Sequence, residues 1–232
     1  MADSRQRFSG AADPHAGQPV YTAGPPAENS DLVLLLLHGR GAAAQDMLSL
    51  YEGLGLETVT AIAPQAAGYT WYPNSFLAPL ETNQPYLDSA LGRVESLVKD
   101  LLDRGIASER IALLGFSQGA CLTTEFTARH PRRYGAVMGL TGGLIGPPGT
   151  PRNYSGSLAG VEVFLGTSDP DPHVPFERVK ETKAVLSGMG AQVELRRYPG
   201  MPHTISDDEL DACRALLQRA IGSRKEQKSR NK

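Results

Sequence analysis

Ile111-Ala112-Leu113-Leu114-Gly115-Phe116-Ser117-Gln118-Gly119 is the stretch that decides the fold. Four apolar residues predict a buried strand, and GxSxG directly behind them, ahead of a helix, is the pattern of a nucleophile elbow. That turn is so tight that small residues must flank the serine. Glycine at 115 and 119 removes the Cβ atoms that would collide, and the Ser117 hydroxyl is then held out from the strand end, before a helix N-terminus. A helix pattern from Gln118 to Arg129, stopped by His130-Pro131, completes strand, turn and helix in the required order. Because GxSxG alone turns up in unrelated chains, the reading demands a base and an acid further downstream.

Working outward, β-like runs alternate with amphipathic helical stretches, the signature of a mostly parallel sheet covered on both faces. Strands are predicted at Leu32 to Leu37, Val59 to Ala63, Ile111 to Leu114, Ala136 to Leu140, Val161 to Leu165 and Val193 to Tyr198, with Gln18 to Ala23 as an edge strand. Helical spacing is clearest at Leu87, Leu91, Val94, Val98 and Leu101; at Phe176, Val179, Lys183 and Leu186; and at Leu210, Cys213, Leu217 and Ala220. Ser206 and Glu209 form a capping box for the last of these. Two connections, Pro64 to Tyr86 and Thr141 to Gly160, are long and rich in Gly and Pro, as functional loops commonly are.

A chain of 232 residues, 41% hydrophobic and 21% charged with net charge −2, reads as one ordinary domain, and nothing in it suggests a nucleic-acid partner. The longest apolar run, Leu32 to Leu37, is too short for a bilayer span and sits in the body of the chain. The expectation is a cytoplasmic protein without stable membrane insertion. Cys121 and Cys213 fall in helical patterns that welcome a small buried residue, and two thiols make no disulfide framework. Residues 1–18, without periodicity, read as an unfolded tail; 19–221 as the folded domain; and 222–232, with Arg224, Lys225, Lys228, Arg230 and Lys232 against Glu226, as a basic, solvated tail. No apolar face stands out as surplus, so the sequence assigns no oligomeric state.

An activated serine needs a base to take its proton and an acid to orient that base, and in an open α/β sheet both come from loops after later strands. The loop Gly166-Thr167-Ser168-Asp169-Pro170-Asp171-Pro172-His173-Val174-Pro175 offers two carboxylates where one is required. The turn Gly200-Met201-Pro202-His203 ends on a histidine just before the capped helix, which makes His203 the candidate general base. Of the other histidines, His38 is expected to support the turn beside it, His130 to end a helix, and His15 to lie in the tail. Asp169, Asp171 and His173 alternate as metal ligands sometimes do, but no HExxH or comparable spacing accompanies them, and no metal is expected. For the oxyanion, the backbone amides of Gln118 and of Arg40, in His38-Gly39-Arg40-Gly41, are the candidate donors. Gly39-Arg40-Gly41-Ala42-Ala43-Ala44 also fits a GxGxxA dinucleotide fingerprint, but the next strand ends Ile62-Ala63-Pro64-Gln65, with no acidic residue to hold a ribose.

His38-Gly39-Arg40-Gly41, Ala63-Pro64, Trp71, Gly115-Phe116-Ser117-Gln118-Gly119, Asp171-Pro172-His173-Val174-Pro175 and Gly200-Met201-Pro202-His203 together resemble the phospholipase/carboxylesterase family of α/β-hydrolases, which includes acyl-protein thioesterases. The resemblance runs from about Asp31 to Arg219. It implies an α/β-hydrolase without a large cap domain, a Ser117, Asp171, His203 triad, no cofactor, and a small-molecule acyl ester or thioester as substrate. Counting forward from Gly166 selects Asp169 as the acid, and counting back from Val174-Pro175 selects Asp171, which is preferred because the following helix fixes the downstream register. The chain departs from the family pattern at Trp71-Tyr72-Pro73, where Trp-Phe-Asp is usual, and at Arg40, where an aliphatic residue is common. Arg40 is accordingly expected to favour anionic leaving groups. Trp71, Tyr72, Phe76, Leu77, Leu144 and Ile145 are the apolar residues expected around the substrate. Two rival readings are a catalytically silent binding protein on the same fold and a dienelactone-type hydrolase; the second commonly carries cysteine in the elbow, where this chain has serine.

Overall fold

Leu32–Leu37 forms a strand, β2, that is buried along its whole length, with Val33, Leu35 and Leu37 facing one core and Leu32, Leu34 and Leu36 the other. A run of six apolar residues is what a parallel strand covered on both faces requires. The computed structural model describes residues 13–230, and side chains as far as Ser223. Its elements are β1 (Val20–Ala23), β2, α1 (Ala44–Leu54), β3 (Val59–Pro64), α2 (Tyr86–Asp103), β4 (Ile111–Phe116), α3 (Gln118–Arg129), β5 (Ala136–Leu140), β6 (Glu162–Asp169), α4 (Phe176–Gly188), β7 (Gln192–Pro199) and α5 (Asp207–Arg230).

The seven strands lie in the order β1-β3-β2-β4-β5-β6-β7. Only β1 is antiparallel to its neighbour. α1 and α5 cover one face, and α2, α3 and α4 the other. The chain starts its sheet near β2 and β3 and then reverses outward through β4, so the carboxyl ends of β2 and β4 frame the crevice where such sheets bind ligands. Among the described residues no separate cap domain sits over that crevice. The fold is the mostly parallel α/β-hydrolase architecture expected from the sequence.

Three differences have physical causes. α1 lies in a stretch where the sequence reading placed no helix; Ala44, Met47, Tyr51 and Leu54 bury one stripe, the Asp46 carboxylate accepts the Ala43 amide (2.8 Å), and Gly55 ends the helix at φ 63°. Residues 13–18, read as tail from composition, are anchored instead, because His15 is fully buried and hydrogen-bonded to the loop 64–86; residues 1–12 lie outside the described residues. α5 runs on to Arg230, into the stretch whose charge suggested a solvated tail. The Ser206–Glu209 capping box is present, with the Ser206 amide donating to Glu209 Oε2 (2.8 Å) and the Glu209 amide to Ser206 Oγ (3.3 Å).

Candidate active site

Ser117 sits between β4 and α3 at φ 54°, ψ −117°, a conformation side chains rarely tolerate. Both flanking glycines are sterically required. A Cβ on Gly115 would lie 2.2 Å from the Gly119 carbonyl oxygen, and one on Gly119 would lie 2.0 Å from the Leu37 carbonyl oxygen. The strained turn is pinned on either side, as the Ser117 amide donates to Leu140 (2.9 Å) and its carbonyl accepts from the Cys121 amide (3.0 Å).

The Ser117 hydroxyl lies 2.9 Å from His203 Nε2, and His203 Nδ1 lies 2.7 Å from Asp171 Oδ2. With the imidazole neutral, Nδ1–H donates to the carboxylate and Nε2 accepts from the serine. Asp171 has no exposed side-chain surface and is fully occupied: Oδ2 also accepts from Ser168 Oγ (2.7 Å), and Oδ1 accepts the amides of His173 and Val174 (2.8 Å each). Burial by itself pushes this carboxyl upward, but the hydrogen bonds from His203, Ser168 and the two amides outweigh it and hold the group below its usual range. Asp169 faces elsewhere and pairs with Arg197 Nε at 2.6 Å. Asp169, Asp171 and His173 therefore do not converge on a common point. The His203 ring is flanked by Phe116, with centroids 5.2 Å apart, and by the edge-on ring of His173 at 5.0 Å.

The amides of Arg40 and Gln118 have no acceptor among the described residues. Their side chains do something the sequence did not foretell. Arg40 donates to the carbonyls of Tyr72 (3.0 Å), Pro73 (2.8 Å) and Asn74 (2.7 Å), while Gln118 donates to Tyr72 (2.8 Å) and accepts from the Trp71 amide (2.9 Å). Both clamp residues 65–77, an arch over the cleft, so the Arg40 guanidinium is committed to loop carbonyls rather than offered to a leaving group. Asn83, itself buried, adds a bond from the Asn74 amide (2.8 Å) and one to the Ser75 carbonyl (3.1 Å).

A cavity of about 360 Å³ opens beside Ser117, lined by Tyr72, Phe76, Cys121, His173 and Val174 together with the polar rim of the arch. Tyr72 and Phe76, expected around the substrate, line this cavity. Trp71 and Leu144 are not: both are fully buried and off the cavity. Trp71 is a plug whose Nε1–H donates to the His38 carbonyl (2.9 Å). Leu144 packs in the core below α4, with its amide held by Thr182 Oγ1 (2.9 Å) and its carbonyl by Arg178 (2.6 Å). Ile145 is likewise buried, its amide on Glu125 Oε2 (3.0 Å), and Leu77 packs on the core edge. His173, Val174 and Cys121 were missed as lining residues. The first two carried a signal, since they sit within the acid loop; Cys121 carried none beyond following the elbow, and burial raises its thiol to about 12.

His38 supports the turn after β2 as expected: Nδ1–H donates to the Gly39 carbonyl (2.8 Å), and Nε2 accepts from the Ala66 amide and Gln65 Nε2 (3.1 Å each). His130 ends α3 and meets Glu95 at 3.1 Å. Among the described residues no helix is long and apolar enough to cross a membrane.

Comparison with known proteins gives one consistent result. A model of the phospholipase/carboxylesterase family matches residues 22–221. The chain is similar to a phospholipase/carboxylesterase of Dyadobacter fermentans, at 44% identity and TM-score 0.83 over 87% of this chain and 96% of that one. It is also similar to acyl-protein thioesterase 1 of Gibberella zeae (30% identity; 54% of this chain and 54% of the relative) and of Saccharomyces cerevisiae (29%; 58% and 60%). The alignments thus span between half and two thirds of the curated relatives' length.

Proposed function

This chain belongs to the phospholipase/carboxylesterase family, and from that membership we propose that it is a serine hydrolase that cleaves carboxylic esters or thioesters through an acyl-enzyme on Ser117. The observation that carries the reading is the continuous path from Asp171 through His203 to Ser117, with links of 2.7 and 2.9 Å, opening on a cavity.

In this mechanism His203 takes the Ser117 proton as Oγ attacks the acyl carbonyl, and Asp171 orients and stabilises the imidazolium that forms. The amides of Arg40 and Gln118 receive the oxyanion. Collapse of the tetrahedral species breaks the bond to the alcohol or thiol, which leaves with the proton from His203. Water, deprotonated by the same imidazole, then attacks the acyl-enzyme and returns Ser117 to its starting state. The scheme uses no cofactor and balances with water alone. A mainly apolar cavity walled by Tyr72, Phe76 and Val174 supports a small acyl substrate.

The test is covalent labelling and turnover. A fluorophosphonate probe should attach at Ser117, and Ser117→Ala should lose both the label and on the order of 10⁴-fold or more in kcat on an aryl acyl ester. Hydrolysis retained by that variant would refute the scheme, and a wild-type chain that neither labels nor turns over would return the reading to a silent binding protein.

A further inference from the structure

The segment Asp13 to Gln18 lies upstream of the region matched by the family model, yet it is built into the arch over the cleft. His15 is completely buried. Its Nε2–H donates to the Trp71 carbonyl (3.0 Å), and its Nδ1 accepts the Ala67 amide (3.1 Å). The ring lies 5.4 Å from the Trp71 ring and 6.0 Å from that of Tyr86. The segment is tied to α2 as well, since the His15 amide and the Asp13 carboxylate both meet the Ser89 hydroxyl, and Arg93 donates to the Gln18 carbonyl (2.8 Å).

The neighbouring amide completes the pattern. Ala66 donates to Nε2 of His38, whose ring is 5.0 Å from Trp71. Two consecutive amides of one turn are thus received by two imidazoles from distant parts of the chain, with one indole against both. The turn reaches the chemistry by two further bonds: the Gly41 amide donates to the Tyr69 carbonyl (2.8 Å), and the Trp71 amide to Gln118.

We propose that His15 is a positioning residue for the arch: as a neutral imidazole it holds Ala67 and Trp71, and through them the wall of the Ser117 cleft, and on protonation it lets go. The reason is geometric. A proton on Nδ1 would set an N–H against the Ala67 N–H and remove the acceptor that fixes the turn. The backbone of Trp71 and of Tyr86 and the Asp13 carboxylate favour that proton, Arg93 opposes it, the Ser89 hydroxyl brings no charge, and a proton on His15 in turn disfavours one on His38. Burial decides the balance and lowers the His15 imidazole below its ordinary value, so the neutral form prevails near neutrality and release comes on acidification.

Trp71 is the sole tryptophan of the chain, so its emission reports the arch directly in the full-length protein. Acidifying the wild type stepwise from about pH 7.5, through and below the ordinary imidazole value of 6.5, should shift its emission reversibly to the red as water reaches the indole, with KM for an aryl ester rising about tenfold over the same steps. His15→Gln can still donate to Trp71 and accept from Ala67 but cannot titrate. It should keep wild-type emission near pH 7.5 and lose most of the acid shift. His15→Phe keeps the ring but neither hydrogen bond, and should show red-shifted emission and about tenfold higher KM already at pH 7.5, with kcat within about threefold of wild type. A Gln variant that repeats the wild-type acid shift in midpoint and amplitude overturns the proposal, as does a Phe variant with wild-type emission and KM. If His15→Phe does not fold, the Gln variant decides alone. The kinetic arm rests on the hydrolase reading and the emission arm does not, so a chain without esterase activity would still test His15.

Discussion

The elbow Gly115–Gly119 and the arch 65–77 face each other across one cleft, and they are held by opposite means. The elbow is fixed by its own backbone: two glycines whose missing Cβ atoms leave room for the carbonyls of Gly119 and Leu37, and a serine locked at positive φ. The arch owes its shape to side chains arriving from elsewhere, with Arg40, Gln118, Asn83, His38 and His15 all bonded to its main chain. A steric constraint admits no partial solutions, whereas a set of separate hydrogen bonds can be altered one at a time. The Ser117 end is therefore rigid to substitution, and the arch is the part that can be altered without disturbing it.

Gly119→Ala attacks the rigid side, and should have the largest effect. Its Cβ would meet backbone at 2.0 Å, so neither a rotamer change nor a small side-chain shift relieves it. The expected outcome is a loss of about 3 kcal/mol or more of stability and no measurable turnover, read by denaturant melts and ester hydrolysis. An active, stable Ala variant would show that the elbow is not sterically closed.

Asp171→Asn keeps the fold but removes the negative charge opposite His203, and kcat should fall by roughly 10³ to 10⁴. Asp169→Asn loses only the pair with Arg197, and should stay within about threefold of wild type, since exposed ion pairs contribute little. Equal losses in the two variants would contradict the separation of these neighbouring carboxylates.

Arg40→Leu acts on the arch alone. Its backbone amide stays in place while three bonds to Tyr72, Pro73 and Asn74 disappear. KM should rise about tenfold with kcat within about threefold, because the arch loosens while the Arg40 amide stays in place. A kcat loss of two orders or more with KM unchanged would mean instead that the guanidinium guards the position of that amide.

The same contrast explains what could be read in advance. The elbow, the acid loop and the His203 turn each announce themselves in a few consecutive residues, because local backbone geometry dictates glycine, proline and the polar side chain there. Asp171 could be preferred over Asp169 because Val174-Pro175 and the start of α4 fix the register from downstream. The arch offered no such marks. Whether Trp71 faces the cavity or the core depends on a bond to the His38 carbonyl, 33 residues away, and Leu144 is drawn inward by Arg178 and Thr182. His15 looked like tail because six residues of mixed composition cannot reveal a partner 52 residues further on. α1 alone was legible and overlooked, its stripe of Ala44, Met47, Tyr51 and Leu54 standing directly behind the glycine turn.

Acid separates the two regions with the smallest expected effect. His38 is buried and neutral, with Nε2 accepting from Ala66, and burial lowers its imidazole below the ordinary value of 6.5. As pH falls through 6.5 the unfolded chain takes up this proton before the folded one does, so unfolded binds more and stability declines, until the folded value is passed and the slope ends. Asp171 carries the other window. Its carboxyl is held below 3.8 in the fold, so the stability it contributes is complete above 3.8 and lost only as pH falls through the lower folded value. The arch should thus weaken in mildly acidic solution while the Asp171–His203 link still stands. Denaturant melts at about pH 7 and about pH 5.5 should show a stability loss in the wild type that shrinks in His38→Gln and is unchanged in Asp171→Asn. A loss that follows Asp171 rather than His38 in that range would reverse the order in which the two regions yield.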